Sequence, residues 1–454
     1  MTSSPSPAPL RAPEAPAPFP RALLWGLVAL ALVCRLSGVG NGFVNYDDDR
    51  LREEIATKGP WDILTGAFYY AYKPVYGLWL WAERALFGDT AKPGLVASWL
   101  LFAASVGLTA VVLHRMLRST FLAAAGAALL AAHPVHAENV AWWAERKDVL
   151  SLVLVLLAHR AHQRARDRDP ARTPWAPAAL LLLAGLTKGT AWAYAGVVAL
   201  DEAVQPAPAP GRARRLAPLF LVAVAGVAVD AWSSAALGPG AVKYDVPFAS
   251  LVAAMAGVHA RYLASLVWPT GLSADYPVDP AGAWSDPWAW AGAALAAAAV
   301  AGLVVGLARR RPWLAAGCGM WLLGLAPVNN LWPTTSILRS DRYLLLPAVG
   351  LYVLVAALAL RLRGARAVAV VVAVGVLGVL AHFRGPVWAD SETLWTDTLA
   401  KQPGSAIAAL NRAVDRRARL RFADAEADAR RALASAQALG RLELVAQARV
   451  VLST

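Results

Sequence analysis

Apolar stretches alternate with short charged connections along most of this 454-residue chain. A run of about 20 apolar residues lets an α-helix cross a bilayer. The pattern predicts about eleven membrane-spanning helices, and hence an all-α, polytopic membrane protein. The expected spans lie near residues 22–38, 94–114, 121–134, 148–160, 174–187, 190–203, 216–234, 288–308, 312–330, 343–360 and 366–382.

The charges in the connections predict the orientation of the spans. Arg-rich connections alternate with connections that carry Asp, Glu and His, and the positive-inside rule assigns the Arg-rich ones to the cytoplasm. We therefore expect a cytoplasmic N-terminus and a periplasmic C-terminal region, in a bacterial-type inner membrane. The Arg-rich connections are at residues 115–118, 160–172, 212–215, 309–311 and 361–366.

Two segments need a special interpretation, because spans must come in pairs between the Arg-rich connections. Residues 174–187 and 190–203 are each shorter than a bilayer requires. We interpret them as a kinked hairpin that turns at residues 187–190, since a single span there would invert every later segment. Residues 251–268 are also apolar, but a full span would break the pairing. We expect a helix that lies on or dips into the outer face.

Composition and charge agree with a membrane class. Hydrophobic residues make up 58% of the chain, and Trp occurs 19 times. The formal net charge of +13 is compatible with nucleic acid, but the Arg clusters sit between apolar spans, so no nucleic-acid partner is predicted. Cys34 and Cys318 lie inside apolar stretches, which argues against a disulfide framework. Residues 1–21 are rich in Pro, Ala and Ser and predict a disordered cytoplasmic tail.

An acidic triplet follows the first predicted span at Asp47, Asp48 and Asp49. Adjacent carboxylates repel each other, which raises the pKa of at least one toward the range of a general base. Such a pair also suits a divalent cation. A solvated acidic loop is the plain alternative, and the triplet alone leaves these interpretations open.

A second polar cluster lies between the third and fourth predicted spans. His133, His136 and Glu138 end one span, and Glu145 and Asp148 begin the next. Two His separated by two residues are potential zinc ligands, but a zinc site needs more ligands than this string supplies. We expect a hydrogen-bonded polar cap, which is either structural or shapes a site for a hydroxylated substrate.

The chain changes character after the last predicted span. Residues 383–454 have helical periodicity, with turn signals at Pro403-Gly404 and Gly440. They predict one tetratricopeptide-like helix pair followed by a third helix. A single repeat is short of the roughly three that make a stable array, so this subdomain should pack on the membrane domain or on a protein partner. A capping role and a peptide-binding role both stay open.

Several strings occur in a characteristic order between residue 40 and about residue 412. They are GFVNYDDD, YKPV, HPVHAENVAWWAERKDVLS, LTKG, ARYLASLVWPTGLSADY, SDRYLLLP and SETLW. This order resembles the transmembrane-and-tetratricopeptide O-mannosyltransferase-like family, within the GT-C class of glycosyltransferases. The resemblance implies a GT-C-like membrane domain over residues 22–382. It also implies transfer of a sugar, with mannose indicated, from a polyprenyl-phosphate donor to a protein or glycan acceptor on the non-cytoplasmic face.

The resemblance also assigns the family's functional pattern to residues of this chain. The sequence departs from that pattern once, because Gly189 follows Lys188 where the family usually has Glu. A missing carboxylate there implies altered substrate choice or weakened activity. The matching positions are the paired aspartates Asp47 and Asp48, the outer-loop His133, His136 and Glu138, the pair Arg146 and Asp148, and the run Asp341, Arg342 and Tyr343.

The carboxylates carry the expected chemistry. Asp47 or Asp48 would take the proton of the acceptor hydroxyl as a general base, with Glu138 in the same catalytic group. One displacement at the sugar carbon inverts its configuration. No cofactor is expected, and a divalent cation is compatible with the carboxylates but not required.

The cations would bind the donor. A polyprenyl phosphate needs a groove for its chain and positive charges at the level of the lipid head groups. Snorkelling of these cations, or pairing with Asp148 and Asp341, is the plain alternative. The residues assigned to substrate or lipid-phosphate binding are His133, His136, Arg146, Lys188 and Arg342.

Two other functions compete with sugar transfer. A non-catalytic membrane scaffold would keep the fold and recruit a partner through the C-terminal helices, and both Gly189 and the short repeat motivate it. A transporter would also place charges near span ends. Against a transporter, the two halves show no inverted repeat and the ionisable residues crowd one face.

Overall fold

The computed structural model describes residues 17–69, 71–169, 173–205, 211–236, 246–330 and 337–453. Every regular element within these ranges is helical, which confirms the predicted all-α class. Most of the predicted N-terminal tail lies outside the described residues.

Twenty α-helices form the described part of the chain. They are α1 (Arg21–Arg35), α2 (Asp48–Thr57), α3 (Pro60–Thr65), α4 (Pro74–Phe87), α5 (Lys92–Leu117), α6 (Thr120–Ala132), α7 (Ala137–Ala141), α8 (Arg146–Arg168), α9 (Trp175–Thr187), α10 (Tyr194–Val204), α11 (Arg212–Ala236), α12 (Phe248–Val267), α13 (Pro287–Ala308), α14 (Pro312–Leu325), α15 (Pro347–Ala359), α16 (Arg366–Arg384), α17 (Ser391–Lys401), α18 (Ala406–Ala418), α19 (Phe422–Ala438) and α20 (Leu442–Ser453).

Several helices have the length and hydropathy of a membrane span, as a multi-pass membrane protein requires. Six qualify in the described ranges, or seven if a bent pair is counted as one span. Three shorter apolar helices fall below the length of a full span, and α8 carries charged residues at both ends. The predicted total of about eleven therefore stays a prediction. The six are Arg21–Gly38, Lys92–Leu117, Arg212–Ser233, Phe248–Val267, Pro287–Ala308 and Arg366–Trp388.

The bent pair places the His-rich string at one end of the helix bundle. Helix α6 ends at Ala132, and the chain bends by 56° before it continues over Pro134–Ala141. Pro134 explains the break, because proline has no N–H to donate and its ring clashes with a continuing helix. The bend carries Glu138 and Asn139 to the start of α8.

The predicted hairpin corresponds to α9 and α10. Ser151, near the start of α8, donates a hydrogen bond to the carbonyl of Ala184 at the end of α9 (3.2 Å). His159, about two turns further along α8, pairs with Asp201 near the end of α10 (2.8 Å). The chain therefore reverses direction over residues 188–193, at the turn that contains Lys188.

Helix α12 covers the residues expected to form a helix on, or dipping into, the outer face. It has the length and hydropathy of a span and packs along α13, and its position relative to the membrane stays a prediction. Gly257 and Gly292 lie in this contact, and a Cβ on Gly292 would overlap the carbonyl of Ala256. Glycine lets two helix backbones approach this closely, which makes α12 part of the bundle.

Helices α17 to α20 pack in succession and form the C-terminal subdomain, one helix more than we predicted. This subdomain packs on the membrane domain through Asn45. The Asn45 amide donates to the carbonyl of Asn411 (2.7 Å), and its oxygen accepts from the Trp395 indole (2.6 Å). Ser405 donates to the buried carboxylate of Asp275 (2.6 Å). We expected the subdomain to pack on the membrane domain or on a protein partner, and the structure shows the first of these contacts.

Candidate functional site

Three carboxylates and three cations meet at the start of α8 in a group that we call the cleft cluster. All of its members except the partly exposed Lys188 are buried. They come from α7, α8, the turn before α10 and the segment before α15, so the bend at Pro134 and the reversal after α9 are what bring them together. The cleft cluster consists of Glu138, Glu145, Lys147, Asp148, Lys188 and Arg342.

Arg342 joins two of the carboxylates. Its guanidinium donates to Glu138 (2.5 Å) and lies 3.5 Å from Glu145. Glu138 also accepts from the backbone N–H of Arg342 (3.1 Å) and from the Ser340 hydroxyl (3.1 Å). These contacts fix the run Ser340 to Arg342 against α7, although about 200 residues separate them in the chain.

Lys188 joins the third carboxylate to the second. Its ammonium donates to Asp148 and lies 3.7 Å from Glu145. Asn139 donates to the other oxygen of Asp148 (3.0 Å), while Lys147 donates to Glu145 (2.6 Å). Glu145 therefore faces three cations at once. Burial alone would raise the pKa of Glu145, but Lys147, Lys188 and Arg342 together hold it well below its ordinary value.

Lys73 adds a further positive charge next to the cleft cluster. It lies within electrostatic range of Lys147, Lys188, Glu145 and Asp47. Burial lowers the pKa of its amine to about 8, and repulsion by the two neighbouring lysines adds to that shift. Among the described carboxylates, none forms an ion pair with Lys73, whose amine donates only to a backbone carbonyl.

An open cleft starts at the cleft cluster and continues among apolar side chains. Its empty space, counted together with the solvent at its open side, is about 530 Å³. Its charged end is formed by Asp148, Lys188 and Arg342. The remaining walls come from α8, α10, α14 and the segment around Pro347. The apolar and aromatic lining residues are Leu152, Val155, Ala191, Tyr194, Val328, Tyr343, Leu345, Leu346 and Pro347.

Asp48 is a buried carboxylate that accepts two hydrogen bonds within the protein. It begins α2, is fully buried, and accepts from the backbone N–H of Val44 (2.9 Å) and from the Trp142 indole (2.8 Å). Burial raises the pKa of Asp48 to about 8, against the lowering effect of these hydrogen bonds. Trp142 in turn stacks between Tyr46 and Trp388, so Asp48 ties the acidic segment to an aromatic stack.

Asp47 and Asp49 have different surroundings. Asp47 precedes α2, is partly exposed, and hydrogen-bonds with Tyr69. It lies within electrostatic range of Lys73. Asp49 is exposed and pairs with Arg52 (3.2 Å) on the surface of α2. Asp47 is therefore the member of the triplet that combines partial exposure with proximity to the cations.

The two histidines lie inside the bundle, away from the ion pairs. His133 uses both ring nitrogens within the protein, with the Leu266 carbonyl (2.9 Å) and the Val135 N–H (3.2 Å). His136 contacts the Tyr352 hydroxyl (2.9 Å). These contacts connect the segment before α7 with α12 and α15.

Arg146 also points away from the cleft cluster. Its guanidinium pairs with Glu83 of α4, and both side chains are buried. The Trp143 indole donates to the same carboxylate (3.2 Å). The sequence interpretation missed Glu83, because its contact with Arg146 depends on how α4 packs against the start of α8.

A second buried set of charges escaped the sequence interpretation entirely. We call His159, His162, Asp201, Glu202 and Arg215 the closed cluster. His159 pairs with Asp201 (2.8 Å), and His162 pairs with Glu202 (2.8 Å). Arg215 donates to both oxygens of Glu202 (3.0 and 2.9 Å). The sequence does show two acidic residues, Asp201 and Glu202, at the end of an apolar stretch. Their partner Arg215 belongs to a group of arginines that the charge pattern assigns to the cytoplasm, so the pairing was not expected.

No group of three or more His, Cys, Asp or Glu side chains suited to a metal ion occurs within the described residues. The carboxylates of the cleft cluster have Lys and Arg partners, and the two histidines bond to carbonyl and hydroxyl groups. This arrangement places two cations, Lys188 and Arg342, and the carboxylate of Asp148 at the charged end of an apolar cleft.

Comparison with known proteins gives a partial likeness. A stretch of 198 residues is 29% identical to "Protein O-mannosyl-transferase Tmtc2" of Drosophila melanogaster, covering 39% of this chain and 21% of that protein. The matched part thus spans about a fifth of the length of that relative. No family model matches the chain, and no solved structure matches it. The likeness supports a distant relationship to that protein over the matched stretch.

Proposed function

We propose that the protein is a membrane glycosyltransferase of GT-C type. It moves a sugar, such as mannose, from a polyprenyl-phosphate donor to a hydroxyl of a protein or glycan. The observation that carries the proposal is the cleft cluster at the mouth of an apolar cleft. Lys188 and Arg342 stand where a lipid-linked phosphate would lie, and the cleft walls suit an isoprenoid chain. The partial likeness to an O-mannosyltransferase supports the same reaction class.

The reaction is a single displacement at the anomeric carbon. The acceptor oxygen forms a bond to that carbon as the bond to the phosphate oxygen breaks, which inverts the configuration. The acceptor proton passes to a carboxylate, and the departing phosphate is stabilised by Lys188 and Arg342. Because a phosphate leaves readily, no strong general acid is needed.

Asp47 is the general base of this proposal. Both oxygens of Asp48 already accept hydrogen bonds from Val44 and Trp142, and Glu138 is held by Ser340 and Arg342. Asp47 is partly exposed and within electrostatic range of Lys73, so an acceptor hydroxyl has access to it.

The test compares two neighbouring aspartates. Purified protein in detergent receives polyprenyl-phospho-mannose and a Ser/Thr-rich peptide, and mannosylated peptide is measured by mass spectrometry. Asp47→Asn should lower transfer by about 10²–10⁴-fold, the usual effect of removing a general base. Asp49→Asn is the matched control and should transfer like the wild type. Equal transfer by wild type and Asp47→Asn would remove the base, and no transfer by any of the three would remove the activity.

A non-catalytic scaffold is the second candidate. One observation favours it, since each cation of the cleft cluster already has a carboxylate partner in the described structure. On this account the C-terminal helices, which we propose to be tetratricopeptide-like, recruit a protein partner. A pull-down that depends on residues 404–452, together with no saturable binding of polyprenyl-phospho-mannose, would favour the scaffold over the transferase.

The proposal includes a topology. The N-terminus is cytoplasmic, and the site, the acceptor and the subdomain over residues 383–454 are on the periplasmic face of a bacterial-type inner membrane. Support comes from the Arg-rich connections that the positive-inside rule assigns to the cytoplasm. Reporter fusions after Arg172, Arg311 and Thr454 test it. The first two should report the cytoplasm and the third the periplasm.

A further inference from the structure

A second pocket lies where the C-terminal subdomain meets the membrane domain. One wall comes from residues 275–280 and 337–338 of the membrane domain, and the other comes from α18, α20 and the turn between α19 and α20. Its empty space, counted together with the solvent at its open side, is about 510 Å³. The apolar part of its lining includes Pro277, Ile337, Leu338, Ile407, Leu439 and Leu444.

Arg441 brings an unpaired positive charge into this pocket. Its guanidinium lines the pocket and forms no hydrogen bond or ion pair with any described residue, although its Nε atom is buried. Two other arginines of the subdomain, Arg412 and Arg416, both pair with Asp428 (2.8 and 2.9 Å). A buried N–H that lacks an acceptor is unfavourable, so the pocket is arranged to receive an acceptor at Arg441.

Asp275 brings an acceptor into the same pocket. Its side chain is buried, and one of its oxygens accepts from the Ser405 hydroxyl (2.6 Å). The backbone N–H of Tyr276 is a second donor to this carboxylate. Because a carboxylate has room for about four hydrogen bonds, Asp275 is able to accept a further one from a ligand. The pocket therefore presents a donor and an acceptor between apolar walls.

This combination fits the backbone of an extended polypeptide. Each peptide unit has a C=O that accepts and an N–H that donates, and Arg441 and Asp275 supply the matching groups. The apolar walls suit the side chains on either side of that unit. A lipid acyl chain fits less well, because it would cover both charged groups without bonding to either.

Tyr276 connects the pocket to the cleft cluster. Its side chain lines the pocket, and its hydroxyl donates to the buried carboxylate of Asp341 (2.8 Å). Asp341 directly precedes Arg342, which lines the cleft. A polypeptide in the pocket would thus lie beside the segment that carries Arg342.

We propose that this pocket binds an extended segment of the acceptor polypeptide, with Arg441 donating to a backbone carbonyl and Asp275 accepting from a backbone N–H. The membrane domain supplies one side of this acceptor site, and the C-terminal subdomain supplies the other. The role of the polypeptide as a sugar acceptor rests on the proposed function. Its binding does not depend on transfer and is measured separately.

A binding experiment with the full-length protein in detergent tests the pocket. The probe is a fluorescein-labelled, uncharged peptide rich in Thr, Ser and Val, followed by fluorescence anisotropy. Arg441→Met removes the donor and should weaken binding by about tenfold or more, the size of one hydrogen bond to a charged group. The matched control is Arg431→Met, which should bind like the wild type, because the exposed Arg431 donates to the Pro403 carbonyl (3.0 Å) outside the pocket. Equal binding by Arg441→Met and the wild type would overturn the proposal.

Two altered peptides separate backbone recognition from other kinds of occupant. N-methylation of the central amides removes the N–H groups that Asp275 would accept, and it should weaken binding by about tenfold. A Glu-rich peptide should bind no more tightly than the neutral one, because Asp275 repels the negative charge that Arg441 attracts. Full affinity of the N-methylated peptide would contradict backbone recognition, and a clear preference for the Glu-rich peptide would assign the pocket to an acidic partner instead.

Transfer kinetics distinguish a failure of this inference from a failure of the proposed function. Arg441→Met should raise KM for the Ser/Thr-rich peptide by about tenfold and lower kcat much less, since Arg441 lies outside the cleft. An active enzyme whose KM is unchanged by Arg441→Met would show that the acceptor binds elsewhere. A wild type that binds the peptide but transfers no sugar would remove the proposed function and leave polypeptide binding in place.

Discussion

The two buried charge clusters of this protein both include residues of α8 and differ in how they are enclosed. In the closed cluster Asp201 faces His159 and lies 3.4 Å from Arg166, and Glu202 faces both His162 and Arg215. In the cleft cluster Glu145 is shared by three cations. The first set is enclosed by α8, α10 and α11, whereas the second lines an open cleft.

The difference separates a structural role from a binding role. A buried charge is costly unless it is paired and hydrogen-bonded, so an enclosed set of paired charges works as a fixed connection between helices. The cations of the cleft cluster are also paired, but Lys188 and Arg342 line an open cleft. When an anion enters the cleft, Lys188 and Arg342 are able to contact it while Glu145 keeps Lys147. We therefore assign ligand binding to the cleft cluster and helix connection to the closed cluster.

The largest expected effect comes from breaking the closed cluster. Glu202→Gln removes the negative charge that faces both Arg215 and His162, and leaving a buried charge without its acid costs about 3–5 kcal/mol. Thermal unfolding in detergent should show the loss. Protein that remains folded should bind polyprenyl-phospho-mannose like the wild type, and a selective loss of binding without loss of stability would erase the distinction between the clusters.

The matching change in the cleft cluster should act on function. Arg342→Gln removes a cation that stabilises the departing phosphate, and we expect transfer to fall by about 10²-fold or more. It also strips the buried Glu138 of its counter-charge. The double variant Glu138→Gln with Arg342→Gln should recover the stability that this costs, without recovering transfer. Recovery of transfer in the double variant would show that Arg342 serves only to neutralise Glu138.

Asp48 provides a smaller effect that depends on pH. Asp48→Asn places an amide N–H against the N–H of either Val44 or Trp142, which should cost about 1–3 kcal/mol. Because the folded-state pKa of Asp48 is raised to about 8 from an ordinary value of about 4, the native state holds a proton that the unfolded state releases. The stability that Asp48 contributes should fall as pH rises from about 4 to about 8. A stability difference between wild type and variant that does not change with pH would contradict this.

The smallest effect is expected from a single hydrogen bond of the cleft cluster. Ser340→Ala removes the hydroxyl that donates to Glu138 (3.1 Å), and the loss should be about 1 kcal/mol. Glu138 keeps its contacts with the backbone and side chain of Arg342, so donor affinity should change little. Denaturant unfolding in detergent measures the first effect and a binding isotherm the second. If Ser340→Ala lowered the affinity for the donor as much as Arg342→Gln does, the Ser340 hydroxyl would be needed to orient the guanidinium.

The sequence predicted the helical class and the places where polar side chains gather. It did not predict which charged side chains pair with one another. Apolar periodicity identified the helical class, and the clustering of Asp, Glu and His between spans indicated where polar side chains would meet. The turn at Lys188 followed from counting spans. These features depend on the local pattern of apolar and polar residues, which can be read from a single sequence.

The pairing of charges depended on how the helices pack. Arg146 was assigned to a phosphate, but Glu83 of α4 lies against it. Gly189 looked like a lost carboxylate, but Asp230 of α11 lies against it, so a Cβ there would overlap the Asp230 side chain. In each case the partner is distant in sequence, and its approach is fixed by contacts between helices that a linear pattern does not contain.

Helix α12 shows a different limit. Its residues were assigned to the outer face because a full span broke the pairing of spans between Arg clusters. The structure packs it along α13 through glycines that permit close approach. Counting charges in connections does not register such contacts between helices.

A cryo-electron microscopy map of the protein with polyprenyl-phospho-mannose tests the central claim most directly. The account predicts that the phosphate lies within hydrogen-bond distance of Lys188 and Arg342, with the isoprenoid chain along Leu152 and Val155 and the sugar on the side of Asp47. A phosphate bound away from Arg342, or a lipid chain outside the cleft, would contradict it.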